Sequence, residues 1–293
     1  MLLSRGARRL KIKMAEDYRH WEQYWHRRQY PGSVFSETVQ VMHQRSYGAH
    51  QLQTIDLFQP RHATPPLIVI VPGYFFTSLE RFSFEQWIKT YTHNGFAVAL
   101  LNYRQAPEYS YIEQIKDLHI ALRWCLDFSA KNTKQELFLH GFNTGANLVL
   151  NYCNAMSQYY LQEAFALVPL QPGVIKAGIL MQGLYNLESK SIARVHHRYC
   201  IRQALGNEDQ HTLRGLASPA LHLGAVLPPL QIVSGTTAPY IAQALDLKNS
   251  AKSNPASTQL YFNQQQSPQE CVDYFSSFSY ENVLAFNNAK GKQ

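Results

Sequence analysis

The strongest constraint in this sequence is a repeated alternation of short β-rich runs with stretches of helical periodicity. The β-rich runs are residues 54–58, Leu67–Val71, Ala97–Leu101, 137–139, Ile175–Met181, Leu230–Val233 and 258–262. Between them, residues 84–94, 112–128 and 146–156 carry apolar side chains at helical intervals. This alternation predicts an α/β fold with a mostly parallel sheet flanked by helices. Leu67–Val71 and Ala97–Leu101 are apolar throughout, as suits strands covered on both faces.

Neither an internal repeat nor a low-complexity linker interrupts the pattern, so residues 17–293 read as a single domain. Residues 184–227, with Gly206, Gly215 and Pro219, read as an excursion from the sheet that forms a small cap. The histidines of this stretch, His196, His197, His211 and His222, read as cap or surface residues rather than ligands. Upstream, Tyr18, Trp21, Trp25 and Tyr30 fall at intervals that suit an amphipathic helix within residues 17–41.

The formal charge of +7 is concentrated at one end. Arg5, Arg8, Arg9, Lys11 and Lys13 lie in a leader, residues 1–16, read as disordered or as an extension ahead of a start at Met14. Without those five cations the remainder carries about +2, too little to argue for a nucleic-acid partner. No apolar run reaches the roughly 18 residues of a membrane span, and a cytoplasmic protein is expected. Cys125, Cys153, Cys200 and Cys271 are widely spaced without a C-x-x-C pair, so buried small hydrophobes are expected rather than disulfides or metal ligands. No metal or cofactor is called for.

The chemically informative segment is Leu137 to Leu148: a short apolar strand, the turn Gly141-Phe142-Asn143-Thr144-Gly145, and a helix. In a G-x-S-x-G nucleophile elbow the small residues let the chain turn sharply, and the central side chain stands at a helix N-terminus. Here the central residue is Asn143. A carboxamide has no removable proton of useful pKa, so no neighbouring base can turn it into an acyl-accepting nucleophile. Asn143 can still hydrogen-bond a ligand.

Read outward from this turn, the chain resembles the kynurenine formamidase and carboxylesterase-like branch of the α/β-hydrolases over nearly its whole length after residue 20. Leu67–Val71 with Pro72-Gly73-Tyr74-Phe75 is similar to that family's strand and its His-Gly-Gly-Tyr-Trp oxyanion motif. Asn102-Tyr103-Arg104-Gln105-Ala106-Pro107-Glu108 resembles its Tyr-Arg-Leu-Ala-Pro-Glu segment, and Gln182-Gly183-Leu184-Tyr185-Asn186-Leu187-Glu188 its Ser-Gly-Leu-Tyr-Asp-Leu-Glu. Ser218-Pro219-Ala220-Leu221-His222-Leu223 and Pro228-Pro229-Leu230 keep the order and spacing of two further motifs.

The departures fall on the positions that the resemblance marks as chemical. Asn143 matches the family's nucleophilic Ser and Phe142 the preceding His. Thr236 or Thr237 stands where the family has its Asp. The family's His follows the last strand; here residues 262–268 hold none, no His occurs beyond His222, and Gln266 is the position assigned to it. Val71 and Pro72 replace the His and first Gly of the oxyanion motif, while Gly73 and Tyr74 remain.

A Ser-His-acid triad works as a unit: in the serine-protease example, loss of the acid alone costs about 10⁴-fold, and loss of all three leaves ~10³–10⁴ over water. Three replacements therefore predict that acyl-enzyme chemistry is absent. Backbone N–H groups survive such changes, so Gly73, Tyr74, Asn143 and Thr144 are the expected ligand-binding residues. The expectation is an inactive hydrolase homologue that binds a small carbonyl or carboxylate ligand or a protein partner; related esterases commonly dimerise. One alternative is a lyase, isomerase or cyclase using the same pocket without a covalent intermediate. Another is a hydrolase with a relocated triad that draws on His196 or His197. His140, Glu108, Asp117, Ser78 and Cys153 are the remaining reactive groups near the turn, none well placed for catalysis.

Overall fold

The computed structural model describes residues 38–61, 65–77, 84–132, 136–192, 195–206, 210–252, 254 and 258–278. The described residues belong to one compact unit, Thr38–Gln293. The basic leader and the aromatic stretch up to residue 37 lie outside the described residues, as does Ser78.

Eight strands form one sheet in the order β1-β2-β4-β3-β5-β6-β7-β8. They are β1 (Val39–Ser46), β2 (Thr54–Pro60), β3 (Leu67–Val71), β4 (Ala97–Leu101), β5 (Leu137–Phe142), β6 (Ile175–Met181), β7 (Leu230–Val233) and β8 (Leu260–Asn263). β1 pairs antiparallel with β2, and β2 with β4; the remaining pairs are parallel. The helices are α1 (Glu85–His93), α2 (Tyr111–Asn132), α3 (Thr144–Met156), α4 (Tyr159–Phe165), α5 (Val195–Leu205), α6 (Gln210–Leu216), α7 (Ala238–Ala251) and α8 (Pro268–Ser276).

The expected architecture is therefore present, with one correction. The end of the stretch 17–41, read from its aromatic spacing as helical, instead begins β1 at Val39. Val39 and Val41 alternate with Gln40, and the strand lies at the sheet edge with no position buried, so its apolar period is two rather than 3.6. β3 and β4 are buried at every position, which is why they read as unbroken apolar runs. Phe275 of α8 packs against Tyr91, Phe96 and Phe138 with ring centroids 5.2–6.4 Å apart. All four cysteines are free and buried, as expected. Among the described residues no helix is long and apolar enough to cross a membrane.

The excursion between β6 and β7 carries α5, α6 and a 3₁₀ turn at Pro219–Leu221. It is fastened by three asparagines spaced along α3, all fully buried. Asn147 Nδ2 donates to the carbonyls of Leu184 and Ala217. Asn151 Nδ2 donates to the Leu216 carbonyl and the Tyr111 hydroxyl, both at 2.7 Å. Asn154 Nδ2 donates to the Pro219 carbonyl, and its Oδ1 accepts from Gly224 N–H. These residues occupy positions i, i+4 and i+7, so they share one helix face, and each supplies a partner to a loop carbonyl that burial would otherwise orphan. The face of α3 opposite the sheet is thus buried under the cap rather than turned to solvent.

A second polar cluster ties the turn before β2 and the loop after β4 to α2. Asp117, fully buried, accepts from Gln53 Nε2 at 2.7 Å, from Arg104 N at 3.0 Å and from the Arg104 guanidinium at 2.7 and 3.0 Å. Burial of this carboxylate is tolerable because each of its oxygens is paired. Asp117 is therefore structural. Asp117→Ala leaves a guanidinium without its main partner and is expected to lower unfolding free energy by about 3–5 kcal/mol in urea denaturation.

Candidate functional site at the β5–α3 turn

The order of the sheet reverses at β3, whose neighbours are β4 and β5. Open α/β sheets place their ligand crevice at the carboxyl ends of strands around such a switch point. β5 ends at Phe142 and α3 begins at Thr144, so Asn143 is the hinge between them. Its backbone adopts φ 53°, ψ −112°, and its N–H donates to the Met181 carbonyl at 2.8 Å. Positive φ is uncommon outside glycine, and Asn is among the residues that tolerate it best.

The two flanking glycines are required by contact. A Cβ on Gly145 would stand 1.8 Å from the Val71 carbonyl oxygen, and one on Gly141 would stand 2.6 Å from Ala146 Cα. A Cβ on Gly73 would lie 2.2 Å from Thr144 Oγ1. The loop after β3 and the start of α3 therefore touch backbone to backbone, which places Gly73 against Thr144 and Gly145.

The Asn143 side chain is only 1 % exposed. Its Oδ1 accepts from the Phe75 N–H at 3.0 Å, and its Nδ2 donates to the Tyr240 hydroxyl at 2.9 Å. A backbone N–H can only donate, so the oxygen must face Phe75 and the amide's orientation follows. Beside it, Phe76 N–H donates to Thr144 Oγ1 at 3.3 Å. Phe75 and Phe76 both have positive φ, 45° and 65°, which turns their N–H groups toward the elbow. Over them, the His197 ring of α5 stacks on Phe75 with centroids 3.7 Å apart, and Tyr74 meets the same ring edge-on at 4.9 Å.

Phe75 and Tyr240 are the two partners that sequence reasoning missed. The first acts through its backbone, which no residue type signals. The second lies in the first turn of α7, just after the segment in which an acid was sought. Thr236 and Thr237 themselves are exposed, Thr237 being the residue that precedes α7. Gln266 donates to Gln231 Oε1 on β7 at 2.8 Å. Among the described residues, neither Thr236 nor Gln266 hydrogen-bonds Asn143.

The other reactive groups are engaged elsewhere. His140 is fully buried on β5, with Nδ1 3.0 Å from the Tyr91 hydroxyl and its ring edge-on to Trp87 at 5.0 Å. Burial pushes its pKa down to about 3, so the ring is neutral at physiological pH. The Cys153 thiol is pushed up to about 12 by the same cause and carries no useful thiolate. Glu108 is exposed. His222 spans the Tyr160 hydroxyl and the Gly215 carbonyl, both at 2.8 Å, as a cap residue should. The side chains of His196 and His211 lie outside the described residues.

Two outcomes follow. Asn143→Ala orphans the buried Phe75 N–H and is expected to cost about 1–3 kcal/mol in urea unfolding. His140, depressed from 6.5 to about 3, takes up its proton more readily in the unfolded chain. Stability is then full above pH 6.5 and falls by up to about 1.4 kcal/mol per unit as pH drops toward 3. His140→Phe should flatten this part of the urea-measured pH profile.

Residues 72–267 match the sequence profile of a family described as alpha/beta hydrolase fold. A comparison with curated protein sequences finds no match. Among solved structures, esterase B from Lactobacillus rhamnosis, inhibited by a tributyrin phosphonate, is similar with a TM-score of 0.74 at 15 % identity, over 99 % of this chain and 100 % of that one. A truncated carbohydrate esterase from gut microbiota reaches 0.66 at 16 %, over 85 % and 99 %. Carboxyl esterase 2 from the mycorrhizal fungus Tuber melanosporum reaches 0.59 at 18 %, over 78 % and 76 %. At such identities the structural likeness speaks for the fold alone, whereas the profile spans more than half of the sequence. The chain belongs to the α/β-hydrolase fold family.

Proposed function

We propose that this protein is a catalytically inactive homologue of the formamidase and carboxylesterase-like enzymes, acting by binding a small carbonyl or carboxylate ligand or a protein partner. The observation that carries the reading is the placement of the Asn143 carboxamide between the Phe75 N–H and the Tyr240 hydroxyl. In an acyl-transfer site, preorganised N–H groups are held for the charge that develops on a substrate oxygen. Here one such donor is engaged by the elbow's own side chain, which is itself not a nucleophile.

The replaced acid and base positions, Thr236 and Gln266, support the same reading, because neither residue type can orient or carry an imidazolium. A second reading is favoured by one feature. Tyr240 puts a phenol in contact with Asn143, and a phenol can move a proton in lyase or isomerase chemistry that forms no acyl-enzyme.

The test is exposure of the purified protein to a fluorophosphonate probe, followed by intact-mass measurement, alongside assays with a nitrophenyl ester and formylkynurenine. No adduct and no turnover above buffer are expected. Asn143→Ser alone should not restore labelling, since no imidazole is supplied with it. A stoichiometric adduct on the wild-type protein overturns the proposal and restores a hydrolase with a relocated triad.

A further inference from the structure

The cap contains a cavity that the elbow does not use. It has a volume of about 300 Å³, at the small end of the range for small-molecule sites. Its apolar lining comes from Leu187, Ile192 and Ile201, which are 3, 5 and 2 % exposed. Lys190, Arg198 and Arg214 also line it, with a single acid, Glu188. None of these three cations is in an ion pair with a described residue.

The walls are held before any ligand arrives. Gln243 of α7, fully buried, uses its whole hydrogen-bonding capacity on the lining segment. Its Oε1 accepts from Tyr185 N–H and Asn186 N–H, both at 2.7 Å, and its Nε2 donates to the Asn186 carbonyl at 2.9 Å and to Ser191 Oγ at 2.8 Å. Ser218 Oγ accepts from Leu187 N–H at 2.9 Å and donates to the Arg214 carbonyl at 2.8 Å. The segment carrying Leu187 and the helix carrying Arg214 are therefore joined through one hydroxyl. The backbone of these walls is thus set before binding, while the Lys190 and Arg198 side chains are exposed and order on the ligand.

We infer that this cavity binds a small amphipathic carboxylate, its apolar body against Leu187, Ile192 and Ile201 and its charged end between Arg198, Arg214 and Lys190. Guanidinium forks match a carboxylate in shape as well as charge, and an apolar lining favours a ligand with a hydrocarbon portion over a free inorganic anion. Glu188 at the same cavity weighs against more highly charged ligands. The inference stands independently of whether the elbow is catalytic, because the two places share no residue.

The experiment is calorimetric titration of the full chain with octanoate, with octanol and inorganic phosphate as probes of the apolar and charged halves alone. Saturable one-to-one octanoate binding is expected, with both controls weaker by about tenfold or more. The double variant Arg198→Gln, Arg214→Gln should weaken octanoate by about tenfold or more while keeping the wild-type thermal midpoint. Ile201→Asn, which puts an amide into the apolar lining, provides a second check and should weaken octanoate as well. Absence of octanoate binding, equal affinity for octanol, or binding that is lost with Asn143→Ser but kept in the double arginine variant overturns the inference. Ester turnover is not a readout here, so failure of this site and failure of the inactive-homologue reading are distinguishable.

Discussion

The architecture of this protein depends on how closely the start of α3 approaches the end of β3. Gly145 lies so near the Val71 carbonyl that any side chain there would collide with backbone, and Gly141 is likewise pressed against Ala146. That contact sets the sharp turn at Asn143, lifts its side chain toward the loop after β3, and fixes where Phe75 and Phe76 present their N–H groups. Backbone packed against backbone has no rotamers with which to adapt, so the turn is a rigid reference point for everything around it.

A carboxamide at that point has a different relation to its surroundings than a hydroxyl would. Its oxygen reaches the Phe75 N–H and its nitrogen reaches the Tyr240 hydroxyl, so one planar group links the β3 loop, the elbow and α7. Asn also suits the backbone conformation, being tolerant of positive φ. The elbow geometry of the fold family thus serves here as a joint between elements, and the aromatic stack of His197 on Phe75 extends that joint to the cap. A buried polar group satisfied at both ends adds specificity to the packing as well as stability.

Much of the fold was legible because its signals are local. The apolar runs of β3 and β4, the Gly-x-x-x-Gly turn and the helical periods of α1, α2 and α3 follow from side-chain types at fixed spacings. β1 escaped because an edge strand with polar neighbours and only two valines at its start has too weak an alternation to displace a helical reading. The site was legible in part. Gly73, Asn143 and Thr144 converge as their motifs imply, but Phe75 acts through its backbone and Tyr240 arrives from about a hundred residues away in sequence. The asparagine triplet on α3 did leave a trace: Asn147, Asn151 and Asn154 lie on one face of an otherwise apolar helix, the pattern of a buried face that carries loop carbonyls.

Cap and elbow are linked by a small set of buried polar side chains, with Asn147, Asn151 and Asn154 on one side and Gln243 and Ser218 on the other. The central claim, that the elbow's own carboxamide occupies the Phe75 donor, is tested most directly by amide hydrogen exchange at Phe75, followed by NMR. The account predicts a strongly protected amide whose exchange quickens by about tenfold or more in Asn143→Ala, beyond any change at amides of the distant sheet. An exchange rate at Phe75 that is the same with and without the Asn143 side chain would contradict it.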